Sequence, residues 1–123
     1  MRALSHICRE TLRPASSPYN ACNVIYDLHS HSNASDGSME PDDLLLYAAE
    51  CGVGALAITD HDTLAAFERI DSRLAGPHLI PGIELSTSWR NIGVHIVGLN
   101  IDPANATLRH GVCQQQRSRD ERA

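Results

Sequence analysis

Residues 24–63, VIYDLHSHSNASDGSMEPDDLLLYAAECGVGALAITDHDT, decide the fold. The opening run NVIYDLH, from Asn23, is rich in β-branched and aromatic residues and reads as a strand. SDG then supplies turn chemistry, and Pro41 opens a helix whose first turn carries Asp42 and Asp43, well placed for the helix dipole. Leu44, Leu45, Ala48 and Ala49 give that helix its buried stripe, and Gly52 can take the left-handed stop. GALAIT (Gly54 to Thr59) is short and almost wholly apolar, as a strand covered on both faces should be. Strand, helix, strand in this order points to α/β architecture with a parallel sheet.

Working outward, Asp62 or Thr63 can cap a second helix running to about Leu74, where Gly76 and Pro77 end it. HLIPGIEL predicts a third strand, interrupted at Pro81-Gly82. GVHIVGLN predicts a fourth, and Asp102-Pro103 looks like the cap and first residue of a last helix. The expectation is therefore about four parallel strands with intervening helices. Residues 1–21 show no sustained period and are expected to be an irregular, disordered extension ahead of a domain at 22–123.

Composition narrows the function. With 42% apolar and 20% charged residues, the chain of 123 residues is ordinary for one globular domain. Its apolar runs are too short to span a membrane. Four widely spaced cysteines, without a C-x-x-C pair, suit neither a zinc knuckle nor a small disulfide scaffold, so a reducing, cytoplasmic setting is expected. All ten basic residues are arginine, and none lies between Arg13 and Arg69. That gap holds Asp27, Asp36, Glu40, Asp42, Asp43, Glu50, Asp60, Asp62 and Glu68. Most such carboxylates belong to a solvated face, but together they can also form a basin that concentrates cations. Such a chain is not built for a stable nucleic-acid complex.

Side chains two apart on a strand share a face, so His29 and His31 can converge on one ion. Alone, H-x-H is weak, and Asp36 in SDG is more often a turn residue. In AITDHDT, Asp60 and Asp62 flank His61 and could hold its imidazole as acceptors. Glu84 closes the third strand, and His95 interrupts an apolar run. In parallel α/β folds, sites gather at the carboxyl ends of strands. Four strands delivering His29 and His31, His61, Glu84 and His95 to one rim favour a metal site over four coincidences. His6, His78 and His110 fit no motif and are expected to be exposed or locally packed. Trp89 is expected chiefly to pack its loop, with stacking on a base as the lesser alternative. Arg109, Arg117, Arg119 and Arg122 are expected on a solvated helix face, a phosphate grip being the alternative.

The stretches DLHSHSNASDGSMEPDDLLLYAAECGVGALAITDHDT, PGIELSTSW and HIVGLNIDP together resemble the polymerase-and-histidinol-phosphatase (PHP) family of metal-dependent phosphoesterases. The likeness is to its branch of nucleoside 3′,5′-bisphosphate phosphatases that also act as 5′→3′ exoribonucleases. It implies a distorted (β/α)7 barrel holding as many as three divalent ions, manganese foremost, with zinc, iron or magnesium as alternatives. By resemblance, His29, His31 and Glu84 hold one ion; Glu84 bridges to a second ion held by His95; Asp36 and His61 hold the third. Water is then the nucleophile, and a small phosphorylated nucleotide or the 5′ end of a short oligoribonucleotide is the substrate.

The family pattern continues with an insertion, a later histidine and an Asp-x-His. None of these is in the chain, and a closed barrel needs roughly 200 residues or more. The expectation is an amino-terminal half of the barrel, not closed, with each ion short of a ligand and turnover impaired. Two rival readings are a non-catalytic fragment with weak metal binding, and a phosphatase of small metabolites such as histidinol phosphate.

Overall fold

Strands β1 (Ile25–Ser30), β2 (Val53–Ile58), β3 (His78–Trp89) and β4 (Ile92–Leu99) form one sheet in the order β1-β2-β3-β4. Three helices accompany them: α1 (Pro41–Glu50), α2 (Ala66–Arg69) and α3 (Ala106–Asp120). These assignments come from a computed structural model, which describes residues 23–121. The extension expected at 1–21, with His6, lies outside the described residues.

The first half of the sequence reading holds closely. Pro41 stands at the start of α1 with Asp42 and Asp43 in the first turn, and Leu44, Leu45 and Ala48 are buried. Gly52 takes φ +79° and returns the chain into β2, its amide donating to the Ala49 carbonyl. Every residue of β2 except Gly54 is buried, as a central strand between parallel neighbours requires. Leu44, Leu45, Ala48, Leu56 and Ile58 form the main core, between α1 and the sheet. A smaller core of Leu64, Ile83 and Val112 seats α3 against β3.

Four expectations need correction. The fourth strand is antiparallel, not parallel: β4 pairs with β3 from Gly82↔Leu99 to Trp89↔Ile92. The cause is a two-residue turn, Arg90-Asn91, with φ +48° and +65°. Two consecutive left-handed residues make the tight hairpin that suits strand twist. The third strand also runs through Pro81-Gly82 without interruption. Gly82 is required there, because a Cβ would meet the Gly98 carbonyl oxygen at 2.9 Å and the Ile58 carbonyl oxygen at 3.1 Å.

The second helix is four residues, not a dozen. Asp71 prefers a turn: its carboxylate accepts from the Arg73 amide at 2.9 Å, while its own amide donates to Asp42 at 3.1 Å. The last helix begins at Ala106, later than Asp102-Pro103. Asp102 instead accepts from the Ala104 amide, and Asn105 is the cap, accepting from the Leu108 amide at 3.0 Å.

Candidate metal centre

Glu84 organises the site. Its carboxylate is buried on β3, with the side chain 8% exposed, and four imidazoles reach it. Oε2 lies 2.7 Å from His29 Nε2, 2.9 Å from His31 Nε2 and 3.7 Å from His61 Nε2. Oε1 lies 3.0 Å from His95 Nδ1. Asp36 closes the far side, with its oxygens 2.9 Å from His31 Nδ1 and 3.7 Å from His61 Nε2. All six residues singled out from sequence thus meet at one place.

Each arrives for a local reason. The β1–β2 register shifts between Asp27 and Ser30, a bulge that re-aims His29. Beyond it, the loop folds back so tightly that Gly37 admits no side chain, because a Cβ would overlap the His31 carbonyl. His61 sits past β2 in an isolated parallel bridge to Glu84, with the Asp62 amide on the Glu84 carbonyl and the Glu84 amide on the Asp60 carbonyl. His95 arrives differently from expectation. It lies in the middle of antiparallel β4, opposite Ser86, and not at the carboxyl end of a parallel strand.

Asp60 and Asp62 were expected to hold the His61 ring, and neither does. Asp60 is buried and reaches the β1 loop: Oδ1 accepts from the Ser32 amide and the Ser35 hydroxyl, each at 2.7 Å, and Oδ2 from the Ser32 hydroxyl at 2.6 Å. It therefore fixes the loop that carries His31 and Asp36. Asp62, at φ +50°, turns the other way; it accepts from the Ser86 amide at 2.8 Å and from Arg119 at 2.6 Å. His61 Nδ1 is buried without a hydrogen-bond partner among the described residues. Its Nε2 faces the carboxylates.

Electrostatics follow the same geometry. Burial alone would raise the Glu84 pKa; hydrogen bonds from His29 and His95 and the charges of His61 and His29 outweigh it and hold the carboxyl below its ordinary value. Asp36 behaves alike: burial raises it, the His31 charge and hydrogen bond and the His61 charge lower it, and the net direction is down. The wider acidic basin is mostly structural. Glu40 pairs with Arg69, Glu68 with Arg109, and Asp27, Asp60 and Asp62 are buried.

The donor set fits divalent ions. Three groups, His29 with His31 and Glu84, His31 with Asp36 and His61, and His61 with Glu84 and His95, each bring their ligand atoms within 4.8 Å of one another. Two histidine nitrogens, His29 Nε2 and His31 Nε2, stand 3.1 Å apart, a hydrogen-bond distance that also lets both reach one cation. Imidazole with carboxylate suits zinc, iron and manganese. His31 and His61 each belong to two groups, which the family resemblance did not imply.

A cavity of about 790 Å³ opens beside the site. Asp36, His61 and His95 of the site line it, together with Ser35, Ser86, Thr87, Ser88, Gln115 and Arg119. Gln115 reaches the Ser86 carbonyl and Gln116 the Asp62 carbonyl, so α3 is tied over the cavity by polar contacts. Arg119 is exposed on its helix, as expected, and its guanidinium also reaches Asp62 and lines the cavity. The run QQQRSR gave the only hint, since beyond Leu108 and Val112, which pack on the small core, it leaves the end of α3 wholly polar. Trp89 does not pack a loop; it ends β3 and is 67% exposed. His78 and His110 are exposed, as expected.

A curled, partial β/α barrel with clustered imidazoles and carboxylates at its rim defines an α/β fold built around a candidate metal centre. The family model described as PHP domain matches residues 27–110, and the chain belongs to that family. Among curated relatives, it is 52% identical over 103 residues to the 5′-3′ exoribonuclease Rnm of Salmonella typhimurium, covering 80% of this chain and 35% of the relative. It is 40% identical over 99 residues to the 3′,5′-nucleoside bisphosphate phosphatase of Chromobacterium violaceum, covering 79% and 35%. A solved amidohydrolase structure from Chromobacterium violaceum, with bound sulfate and no metal, superposes with TM-score 0.72 at 39% identity, covering 79% of this chain and 35% of that one. The chain spans about a third of the length of these curated relatives. Among the described residues, no helix is long and apolar enough to cross a membrane.

Proposed function

We propose that the chain carries the metal-binding portion of a phosphoesterase acting on nucleotides, either a nucleoside 3′,5′-bisphosphate or the 5′ end of a short oligoribonucleotide. The observation that carries this reading is the buried Glu84 carboxylate beneath His29, His31, His61 and His95. Those five residues and Asp36 would hold divalent ions, with manganese the ion we assign. Such ions supply Lewis-acid chemistry, activating water near neutral pH and neutralising phosphate oxygens during in-line displacement. The unit is proposed to span residues 22–123, and a cytoplasmic location goes with a nucleotide substrate.

The chain's own residues supply binding and orientation. Asp36 and Glu84 make one end of the cavity anionic, so a phosphate is repelled there until cations reverse the sign. Arg119 also lines the cavity and is held by Asp62 through Nη1, leaving its other N–H donors for a phosphate oxygen. Ser86, Thr87 and Ser88 line the cavity as well, and alternation along β3 puts Ser86 and Ser88 on the face of Glu84. A substrate with two phosphates would engage both the proposed ions and Arg119. The similarity to an enzyme named for nucleoside bisphosphates supports it.

The test is manganese-supplemented hydrolysis of adenosine 3′,5′-bisphosphate, beside histidinol phosphate. Release of phosphate from the bisphosphate, lost in His61→Ala, supports the proposal. Metal binding without turnover of either ester assigns the chain to non-catalytic metal binding, and turnover of histidinol phosphate alone assigns it to small metabolites.

A further inference from the structure

One buried carboxyl on the strand that carries His29 has no role in the site as described. Asp27 is 7% exposed on β1 and pairs with Leu56 of β2, so it lies on the face of the sheet that packs into the main core. Its Oδ2 is buried without a hydrogen-bond partner among the described residues. Its Oδ1 accepts from the His29 amide at 3.2 Å. A core-facing strand position is ordinarily apolar, and a buried carboxyl with one oxygen unpartnered costs stability. Packing alone does not account for an aspartate there.

The alternation of β1 gives it a use. Asp27 pairs with Leu56 and Ser30 with Ile58, so three steps along β1 match two along β2. One residue is extra, and both Leu28 and His29 fall between two core-facing positions. Under strict alternation from Asp27, His29 would return to the core side. The extra residue instead turns it to the face of Glu84, where its Nε2 lies 2.7 Å from Oε2. Ser30 comes back to the core side, buried, and His31 follows on the face of Glu84. The bulge thus decides which face receives both histidines. Asp27 Oδ1 holds the amide inside it, and Ser30 Oγ, donating to the Ala57 carbonyl at 2.7 Å, closes its far end.

We infer that Asp27 is a positioning residue: its carboxyl fixes the β1 bulge that turns His29 toward Glu84 and so completes the donor group of His29, His31 and Glu84. It is not itself a proposed ligand. Asp60 holds the loop after β1; Asp27 holds the strand before that loop. The consequence for metal rests on the reading of the site as a metal centre, and the consequence for the direction of His29 does not.

Asp27→Val places a residue suited to a buried strand at the position, and Asp27→Asn keeps an oxygen there. In the metal-free chain the His29 and His31 ring protons should show a nuclear Overhauser contact, since the ring centroids stand 5.1 Å apart. Asp27→Val should weaken that contact and speed hydrogen exchange at the His29 amide several-fold, and Asp27→Asn should restore both. Titrated with manganese, Asp27→Val should bind about 10–100-fold more weakly. Its urea midpoint should stay level or rise, because an unpartnered buried oxygen is gone. Asp27→Ala, which adds no bulk, takes its place if the Val chain does not fold. An unchanged ring contact and unchanged amide exchange overturn the inference. So does a variant that loses stability while holding manganese as tightly as the unsubstituted chain, which is how a merely structural carboxyl behaves. Failure of both variants to fold overturns it as well, since the carboxyl then holds the fold and not His29. Loss of the ring contact where even the unsubstituted chain binds no manganese supports the positioning role and overturns the metal-centre reading alone.

Discussion

Removing the Asp60 carboxylate should disable the site without touching any proposed ligand. Asp60 is 2% exposed and Ser32 0% exposed, so Asp60→Ala leaves the Ser32 amide and hydroxyl without acceptors in a place water does not reach. A stranded buried donor costs about 1–3 kcal/mol. Two of them, with the lesser loss at the half-buried Ser35 hydroxyl, give about 3 kcal/mol. For a domain of about 100 residues each kcal/mol moves the melting temperature by about 4–8 °C, so a fall of about 12–24 °C is expected. Asp60→Asn keeps an oxygen for the Ser32 amide and should cost only about 1 kcal/mol. The assay is thermal unfolding followed by circular dichroism, paired with manganese content after dialysis. Because Ser32 and Ser35 lie between His31 and Asp36, metal held by His31, Asp36 and His61 should be lost first. A loss under about 1 kcal/mol in Asp60→Ala, with metal content unchanged, would refute the role given to this loop.

Three further outcomes follow from the same contacts. Leu56 is fully buried in the main core, and Leu56→Ala should cost about 2–5 kcal/mol in urea unfolding; under about 1 kcal/mol would mean the core is misplaced. Asp36 and Glu84 are held below their ordinary values of 3.8 and 4.5. Their contribution to stability is thus complete above those values and lost as pH falls through the lower folded ones, so the metal-free urea midpoint should drop below about pH 4.5. Glu84→Gln should flatten that acid limb, and an unchanged limb would contradict the pairing. Asp62→Asn tolerates the left-handed backbone but removes the charge that holds Arg119, so KM for a bisphosphate should rise several-fold with kcat less affected.

What was legible depended on whether a residue acts through its neighbours in sequence. His29 and His31 are two apart on a strand, and α1 and β2 carry strong periodic patterns, so their placement followed from the chain alone. Glu84 and His95 were chosen as if they stood near strand ends, but both lie mid-strand, Glu84 because β3 runs on to Trp89 and His95 because the direction of β4 was misread. Arg90-Asn91 lacks the glycine that usually marks a two-residue hairpin, so nothing local announced the reversal. Asp60 and Asp62 were chosen correctly as polar partners and assigned to the wrong groups. Their true partners, Ser32, Ser35, Ser86 and Arg119, are 24 to 57 residues away, and no pattern within AITDHDT encodes them. The Arg119 contact with Asp62 was hidden for the same reason, although its exposure on a polar helix was foreseen. Trp89 inverted the usual fate of its residue type, standing exposed where packing was expected.

The central claim is that Glu84 and the histidines around it hold divalent ions. It is tested most directly by loading the purified chain with manganese, dialysing away free metal and counting bound ions by elemental mass spectrometry. Glu84→Gln keeps the size and removes the charge, and Glu84 is shared by two of the three donor groups. The account predicts manganese retained by the unsubstituted chain and largely lost from Glu84→Gln, with both proteins folded by circular dichroism. Equal manganese in the two proteins, or none in either, would contradict it.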